Sequence, residues 1–132
     1  MSGTPETDGY SDARRRMVER DLVGRDIVDP EVLRAMARVP RHRFVDDSQA
    51  DEAYSDRALS IGRGQTISQP YIVAFATQAL QIEPGDWVLE VGTGSGYSAA
   101  VLAELGARVL SLERDRTLAW EARERLAALG YT

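Results

Sequence analysis

One stretch indicates the fold of this chain most clearly: Trp87-Val88-Leu89-Glu90-Val91-Gly92-Thr93-Gly94-Ser95-Gly96-Tyr97. Its first five residues form a short, nearly continuous apolar run, which is typical of a parallel strand buried on both faces. Alternating glycines follow and open a helix. A glycine-rich turn between a buried strand and a helix brings backbone N–H groups close to a nucleotide-like ligand, because a Cβ there would block the approach.

The spacing of these glycines indicates which ligand is bound. Gly92, Gly94 and Gly96 give G-x-G-x-G, whereas the dinucleotide fingerprint is G-x-G-x-x-G, and Tyr97 stands at the fingerprint's third glycine position. Glu90 precedes the loop, where a carboxylate repels a pyrophosphate but accepts hydrogen bonds from an ammonium group. The pattern therefore favours a cofactor that carries an amino acid and a sulfonium over NAD.

The residues after the loop predict a parallel βαβ unit. A helix closing at Gly106 is followed by a strand from Arg108 to Leu112 and by a helix from Thr117 to Leu129. Glu113 ends the second strand, at about the 20-residue spacing where an acidic side chain meets a ribose diol. The large aromatic side chains are expected in the core: Phe75, Trp87 and Trp120.

The first part of the chain predicts helices and an ordered loop. Residues 1–12 read as a disordered tail whose Ser11 and Asp12 also cap a first helix that stops near Gly24. Asp29 and Pro30 start a second helix, which Pro40 ends. Residues 41–69 read as an ordered loop region. The domain prediction is a helical and loop region over 13–82 that includes a segment facing substrate and cofactor, and a cofactor-binding domain over 83–132.

Ser68 lies where this loop region leads into another helix, with Pro70 in the first turn. The pattern predicts Ser68 as the N-cap, and N–H groups at a helix start attract an anion. The spacing alone leaves open whether Ser68 only caps the helix or belongs to a site. His42 is interpreted as a surface or packing residue and not as a base.

Composition excludes several classes of function. The formal charge of -5 and the sequence pI near 4.9 give no basic footprint for nucleic acid. No cysteine and a single histidine leave no disulfide, no thiolate catalysis and no metal centre. We expect a cytoplasmic protein without membrane contact, because no apolar run reaches the roughly 20 residues of a membrane span and the N-terminus lacks the apolar core of a secretory signal.

Four stretches together resemble the protein-L-isoaspartate O-methyltransferase family. The glycine motif is shared by a large superfamily, but the segment Gly62-Arg63-Gly64-Gln65-Thr66-Ile67-Ser68-Gln69-Pro70-Tyr71 is much more particular. The resemblance runs from about Met17 to the last residue, with Ser60 standing where the family commonly has proline. The stretches are Met17-Val18-Glu19-Arg20, Val39-Pro40-Arg41-His42-Arg43-Phe44-Val45, residues 61–71 and residues 88–97.

The resemblance implies an α/β fold: a Rossmann-like, doubly wound parallel sheet of the methyltransferase type. It implies methyl transfer from S-adenosyl-L-methionine to the carboxylate of L-isoaspartyl residues in damaged proteins or peptides. Ser68 is then the active-site residue that orients this carboxylate. The residues expected to bind the cofactor are Thr66, Ser68, Glu90, Gly92, Gly94, Gly96 and Glu113.

The family's sheet has further strands, so we expect an incomplete fold made of the first two strands and the N-terminal helices. The missing C-terminal half, or a partner chain, would supply the other neighbour of the 88–91 strand, which otherwise has a bare edge. Two alternatives stay open: a carboxyl methyltransferase acting on another peptide substrate, and a non-catalytic cofactor-binding or interaction fragment.

Overall fold

The computed structural model describes residues 9–131. Five helices and four strands follow one another in the order α1, α2, β1, β2, α3, β3, α4, β4, α5. Their bounds are α1 Ser11–Met17, continued by a π-helical turn Val18–Val23, then α2 Pro30–Arg38, β1 Leu59–Gly62, β2 Gln65–Ile67, α3 Pro70–Leu80, β3 Trp87–Val91, α4 Tyr97–Glu104, β4 Arg108–Leu112 and α5 Arg116–Ala128.

The predicted βαβ unit is present. Strands β3 and β4 pair in parallel, from Trp87 opposite Arg108 to Val91 opposite Leu112. Helix α4 connects them and packs on β4, and Asp115 caps α5 by accepting hydrogen bonds from the N–H groups of Thr117 and Leu118. Within residues 9–131, β3 has β4 as its single strand partner. The α/β fold with an incomplete Rossmann-like sheet is therefore confirmed.

The prediction that β3 is buried on both faces is wrong. Trp87, Leu89 and Val91 alternate along the strand with exposures of 71%, 62% and 79%. Leu110 and Leu112 of β4 continue this face and are also exposed. The apolar run is typical of a strand with other elements packed on both faces of its sheet. In the described part of the chain, however, helices pack on one face alone.

The prediction that three large aromatic side chains lie in the core is also wrong. Trp87 lies on the uncovered sheet face, Trp120 is 63% exposed on α5, and Phe75 is 48% exposed on α3, where it stacks on Tyr71. An aromatic side chain reaches the core only when another element packs on it. Among the described residues, Phe44, Tyr54 and Tyr97 are buried instead, and the rings of Phe44 and Tyr97 meet edge to face at 5.6 Å.

The main core lies between the N-terminal helices, the β1–β2 hairpin, α3 and α4. Met17, Leu22, Met36, Phe44 and Val101 are fully buried there.

The helix starting at Asp29 is confirmed, because the Asp29 carboxylate accepts a hydrogen bond from the N–H of Glu31 and Pro30 takes the first helical position. The helical segment formed by α1 and the π-helical turn has Gly24 as its C-cap, as predicted. Of the predicted tail, residues 1–8 lie outside the described residues. The prediction that Ser11 and Asp12 cap the first helix is wrong, because both already belong to α1 and Tyr10 takes the N-cap position without a side-chain hydrogen bond.

Residues 41–69 are more regular than the predicted loop. Two 3₁₀ turns, Arg41–Phe44 and Asp47–Glu52, precede an antiparallel hairpin of β1 and β2. The predicted N-cap of α3 is wrong by one residue, since Gln69 takes that position and Ser68 joins β2 to it. His42 is buried, stacks on Tyr10 with 4.3 Å between ring centroids and packs as predicted.

Across residues 9–131, every helix is too short or too polar to cross a lipid bilayer.

Candidate functional site

A cavity of about 200 Å³ lies between the glycine loop and the segment that joins β2 to α3. One wall consists of the loop after β3 and the first residues of α4, and the facing wall consists of the end of β2 and the start of α3. The cavity therefore brings together five of the predicted site residues, which are Thr66, Ser68, Glu90, Gly92 and Gly94.

Gly92 and Gly94 have the conformations that a close-approach loop requires. Their φ angles are +95° and +57°, a region that side chains with a Cβ rarely adopt. A Cβ built at Gly92 would meet no atom within 4 Å, and one at Gly94 would meet only Ile61 Cδ1 at 3.8 Å. The space over the loop is thus open toward the cavity, and a ligand can lie against bare backbone there.

Gly96 has a different role from the other two glycines. It is the N-cap of α4 with φ +94°, and it does not line the cavity. A Cβ there would lie 3.3 Å from Ala122 Cβ and from Leu126 Cδ1 of α5. Gly96 therefore allows α5 to pack closely against the start of α4, which is an indirect contribution to the site.

Glu90 presents a partly buried carboxylate to the cavity. Ser111 of β4 donates a hydrogen bond to its Oε1 at 2.6 Å, and the hydroxyls of Ser111 and Thr93 are 2.5 Å apart. Burial raises the pKa of Glu90, the hydrogen bond from Ser111 opposes this shift, and the nearby charge of Glu113 adds to it. A cationic group in the cavity would offset the cost of this desolvated negative charge.

Glu113 lies outside this cavity but is tied to its wall. Its Oε1 accepts from the N–H of Gly94 at 2.8 Å, and its Oε2 accepts from the N–H of Asp115 at 2.9 Å. The two backbone hydrogen bonds lower the pKa of Glu113, that from Asp115 contributing most. The side chain lines two neighbouring cavities of about 520 and 360 Å³. It thus stands at the edge of a larger concave region that begins at the glycine loop.

The β1–β2 hairpin is fastened to this region by Arg63. Its Nε lies 2.5 Å from Asp115 Oδ2, and this ion pair lowers the pKa of Asp115, which also caps α5. Arg63 is connected to the glycine loop through one intermediate, because Asp115 donates its backbone N–H to Glu113.

Two further residues of this site carried no signal in the sequence. Ser111 is an unremarkable polar position on β4 and becomes important only because the parallel register sets it opposite Glu90. Arg41 lies in the stretch 39–45 that resembles the family, but its role depends on contacts with Ser68 and Tyr97 that no local pattern reveals. Ser68 itself is exposed to the cavity, and its carbonyl accepts a hydrogen bond from Arg41 Nη2 at 2.8 Å.

The chain is similar to one family of known proteins. A family model described as Protein-L-isoaspartate(D-aspartate) O-methyltransferase matches residues 13–132. A protein-L-isoaspartate O-methyltransferase from Synechococcus sp. (strain JA-2-3B'a(2-13)) is 57% identical over 125 residues, which cover 95% of this chain and 51% of that protein. One from Methylorubrum extorquens (strain PA1) is 59% identical over 122 residues, covering 92% and 54%. The chain thus spans about half the length of these curated relatives.

Solved structures give the same result. A structure described as a beta-aspartate methyltransferase from Plasmodium falciparum, in complex with S-adenosyl-L-homocysteine, superposes with a TM-score of 0.75 at 26% identity and covers 89% of this chain and 56% of that one. A second structure, of a protein-L-isoaspartate O-methyltransferase, gives a TM-score of 0.79 at 26% identity and covers 90% and 39%.

Proposed function

The chain belongs to the protein-L-isoaspartate O-methyltransferase family, and from that premise we propose that it contributes the donor site and the active-site serine of such an enzyme. The reaction is transfer of a methyl group from S-adenosyl-L-methionine to the carboxylate of an L-isoaspartyl residue in a damaged protein, which starts the repair of aged Asn and Asp sites. The cytoplasmic location predicted from the sequence is part of this proposal.

The observation that carries the proposal is the shared cavity of Ser68, Glu90 and the glycine loop. Gly92 and Gly94 leave space for a ligand against the backbone, and Glu90 offers a desolvated carboxylate beside it. These features fit the amino-acid end of S-adenosyl-L-methionine, whose ammonium pairs with a carboxylate. When bound, this cofactor supplies an electrophilic methyl group. Glu113, at the rim, is the acceptor we assign to the ribose hydroxyls.

Ser68 is proposed to orient the substrate. A carboxylate is ionised at neutral pH and is already a nucleophile, so the site needs no general base. What the site must provide is alignment of the carboxylate and partial neutralisation of its charge. The hydroxyl of Ser68 and the neighbouring start of α3 lie on the cavity wall opposite the glycine loop. We therefore expect no covalent serine intermediate.

The test is methyl transfer from labelled S-adenosyl-L-methionine to a peptide with one L-isoaspartyl residue. The control is the same peptide with L-aspartate. We would assay the chain alone and the chain joined to the C-terminal half of the Synechococcus relative, because the chain matches 51% of that protein. Circular dichroism and donor binding establish that the joined protein is folded.

The expected result is labelling of the isoaspartyl peptide alone by the joined protein. Ser68→Ala lowers the turnover about tenfold to 100-fold, which is the loss typical of a misaligned reactant. A joined protein that binds the donor and labels neither peptide, or both equally, contradicts the proposal. Labelling of the aspartyl peptide alone would favour a different carboxyl substrate, and loss of donor binding would favour a non-catalytic fragment.

A further inference from the structure

Arg41 is a buried guanidinium, and no carboxylate is among the described groups that act on it. The side chain is fully buried, and the charged or ionisable groups that act on it are the phenols of Tyr97 and Tyr54. Its Nη1 has no hydrogen-bond partner among the described residues. Burial lowers the pKa of Arg41. A buried charge of this kind contributes little to stability by itself, and apolar replacements of buried ionic groups are often neutral or stabilising.

Arg41 contacts two segments that lie outside the α-helices and the strands. Its Nε donates to the carbonyl of Ala53 at 2.6 Å, at the end of the second 3₁₀ turn. Its Nη2 donates to the carbonyl of Ser68 at 2.8 Å, in the link between β2 and α3. The planar fork of a guanidinium fixes both directions at once, which a single ammonium cannot do.

The same guanidinium packs on the first residue after the glycine loop. Its Cζ lies 4.8 Å from the centroid of the Tyr97 ring, within the range of a cation–π interaction. Tyr97 is buried, and its ring also meets Phe44 edge to face. Arg41 is thus in contact with both walls of the cavity from behind, because Ser68 lies on one wall and Tyr97 on the other.

We propose that Arg41 is a positioning residue that sets the separation between Ser68 and the glycine loop. The inference rests on the proposed function and adds a residue to it that does not itself line the cavity. The Ser68 carbonyl and the Tyr97 ring are held by one rigid group, so that the serine and the donor site keep a fixed relation. Displacing reacting groups by about 1 Å costs on the order of 100-fold in rate, so this spacing governs the turnover.

The test compares R41K with R14K in the whole protein. Arg14 is a matched control because it is equally buried and donates to a backbone carbonyl, that of Ala37, and to the hydroxyl of Tyr54, both at 2.9 Å. Both variants keep the charge and lose the fork. Calorimetry with S-adenosyl-L-homocysteine counts the filled sites and gives the affinity, and turnover on the isoaspartyl peptide is expressed per filled site.

R41K is expected to weaken the affinity about fivefold, since the contact with Tyr97 is lost, and to lower the turnover per filled site about 100-fold. R14K is expected to lower the melting temperature while both quantities stay within about twofold of the unaltered protein. Equal behaviour of the two variants per filled site would overturn the proposal and leave Arg41 a purely structural role.

A second pair of variants decides the matter if R41K does not fold. R41M and R14M remove the donated hydrogen bonds together with the charge, and replacing a buried ionic group by an apolar one is often neutral to stability. R41M is expected to weaken affinity about fivefold and to lower turnover per filled site about 100-fold, and R14M is expected to leave both within about twofold of the unaltered protein. If the unaltered protein binds S-adenosyl-L-homocysteine but methylates no isoaspartyl peptide, the proposed function fails, and these affinity ratios still support or overturn the role of Arg41.

Discussion

The carboxylate of Glu113 holds the backbone of Gly94, with 2.8 Å between Oε1 and the amide nitrogen. Its other oxygen accepts from the N–H of Asp115 at 2.9 Å. A single side chain at the end of β4 therefore fixes the loop after β3, and parallel pairing of the two strands brings them to the same edge. The loop conformation is thus set by the neighbouring strand as well as by its own glycines.

Glu113→Gln tests this relationship. An amide has one acceptor oxygen, so one of the two backbone N–H groups loses its partner, and we expect the free energy of unfolding to fall by about 1 kcal/mol. The pKa of Glu113 is lowered in the folded state, so its stabilisation is complete above the carboxyl pKa of the unfolded chain and is lost as the pH falls through the folded pKa. Urea unfolding at neutral and at acid pH should show the difference between the two proteins disappearing in acid. A difference that stays constant would contradict this origin.

Glu90 should contribute to stability with the opposite pH dependence, and Glu90→Gln tests this. Burial raises the pKa of Glu90, so the stability it provides is complete below the unfolded carboxyl pKa and is lost as the pH rises through the folded pKa. At neutral pH the Gln variant is therefore expected to be more stable than the unaltered protein, and it keeps an acceptor for Ser111. Donor affinity should fall about tenfold, because the ammonium loses its charged partner. Calorimetry combined with urea unfolding checks both, and a variant that is less stable at neutral pH would contradict the account.

Gly96→Ala should affect stability more than donor chemistry. Its Cβ would lie 3.3 Å from Ala122 Cβ and from Leu126 Cδ1, at a φ angle of +94°. Crowding and the unfavourable φ together are expected to cost about 2–3 kcal/mol. Urea denaturation measures the loss, and donor affinity per folded molecule should stay within about threefold. A large affinity loss without a stability loss would show direct contact with the ligand instead.

The uncovered face of the sheet predicts self-association of the 132-residue chain. Trp87, Leu89 and Val91 form an exposed apolar row beside a strand edge that has no partner strand within residues 9–131, a combination that favours edge and face contacts between copies. Leu89→Lys should shift the weight-average mass in sedimentation toward the monomer. Val28→Lys is the control, because Val28 is 77% exposed but lies before α2. An equal effect of both variants, or a chain that is monomeric from the start, would argue against this surface.

Much of the fold was predictable because local chemistry determines it. Asp29 and Pro30 specify a helix start, and the positive φ angles of Gly92 and Gly94 need residues without a Cβ. The parallel register then brings Glu113 beside the loop. These signals are short in sequence and depend on one or two residues.

What could not be predicted depends on contacts between distant segments. The exposure of Leu89 is decided by what packs on the sheet, and the pattern of a two-sided strand does not contain that information. The β1–β2 hairpin has strands of four and three residues and a turn in which Arg63 takes φ +55°, a conformation rare for arginine. Arg41 joins three segments whose meeting is a property of the whole fold.

The proposed donor site depends above all on the bare backbone at Gly94, against which we expect the methyl donor to lie. The most direct measurement is the affinity of the protein for S-adenosyl-L-homocysteine with Gly94→Val, set against Gly85→Val. Gly85 also has a positive φ, and a Cβ there meets no atom within 4 Å, but it lies in the turn before β3 and away from the cavity. Both variants should lose about 1–2 kcal/mol of stability. We expect at least about a tenfold loss of affinity for Gly94→Val and a change within twofold for Gly85→Val. Equal affinities of the two variants, or no binding by the unaltered protein, would contradict the proposed donor site.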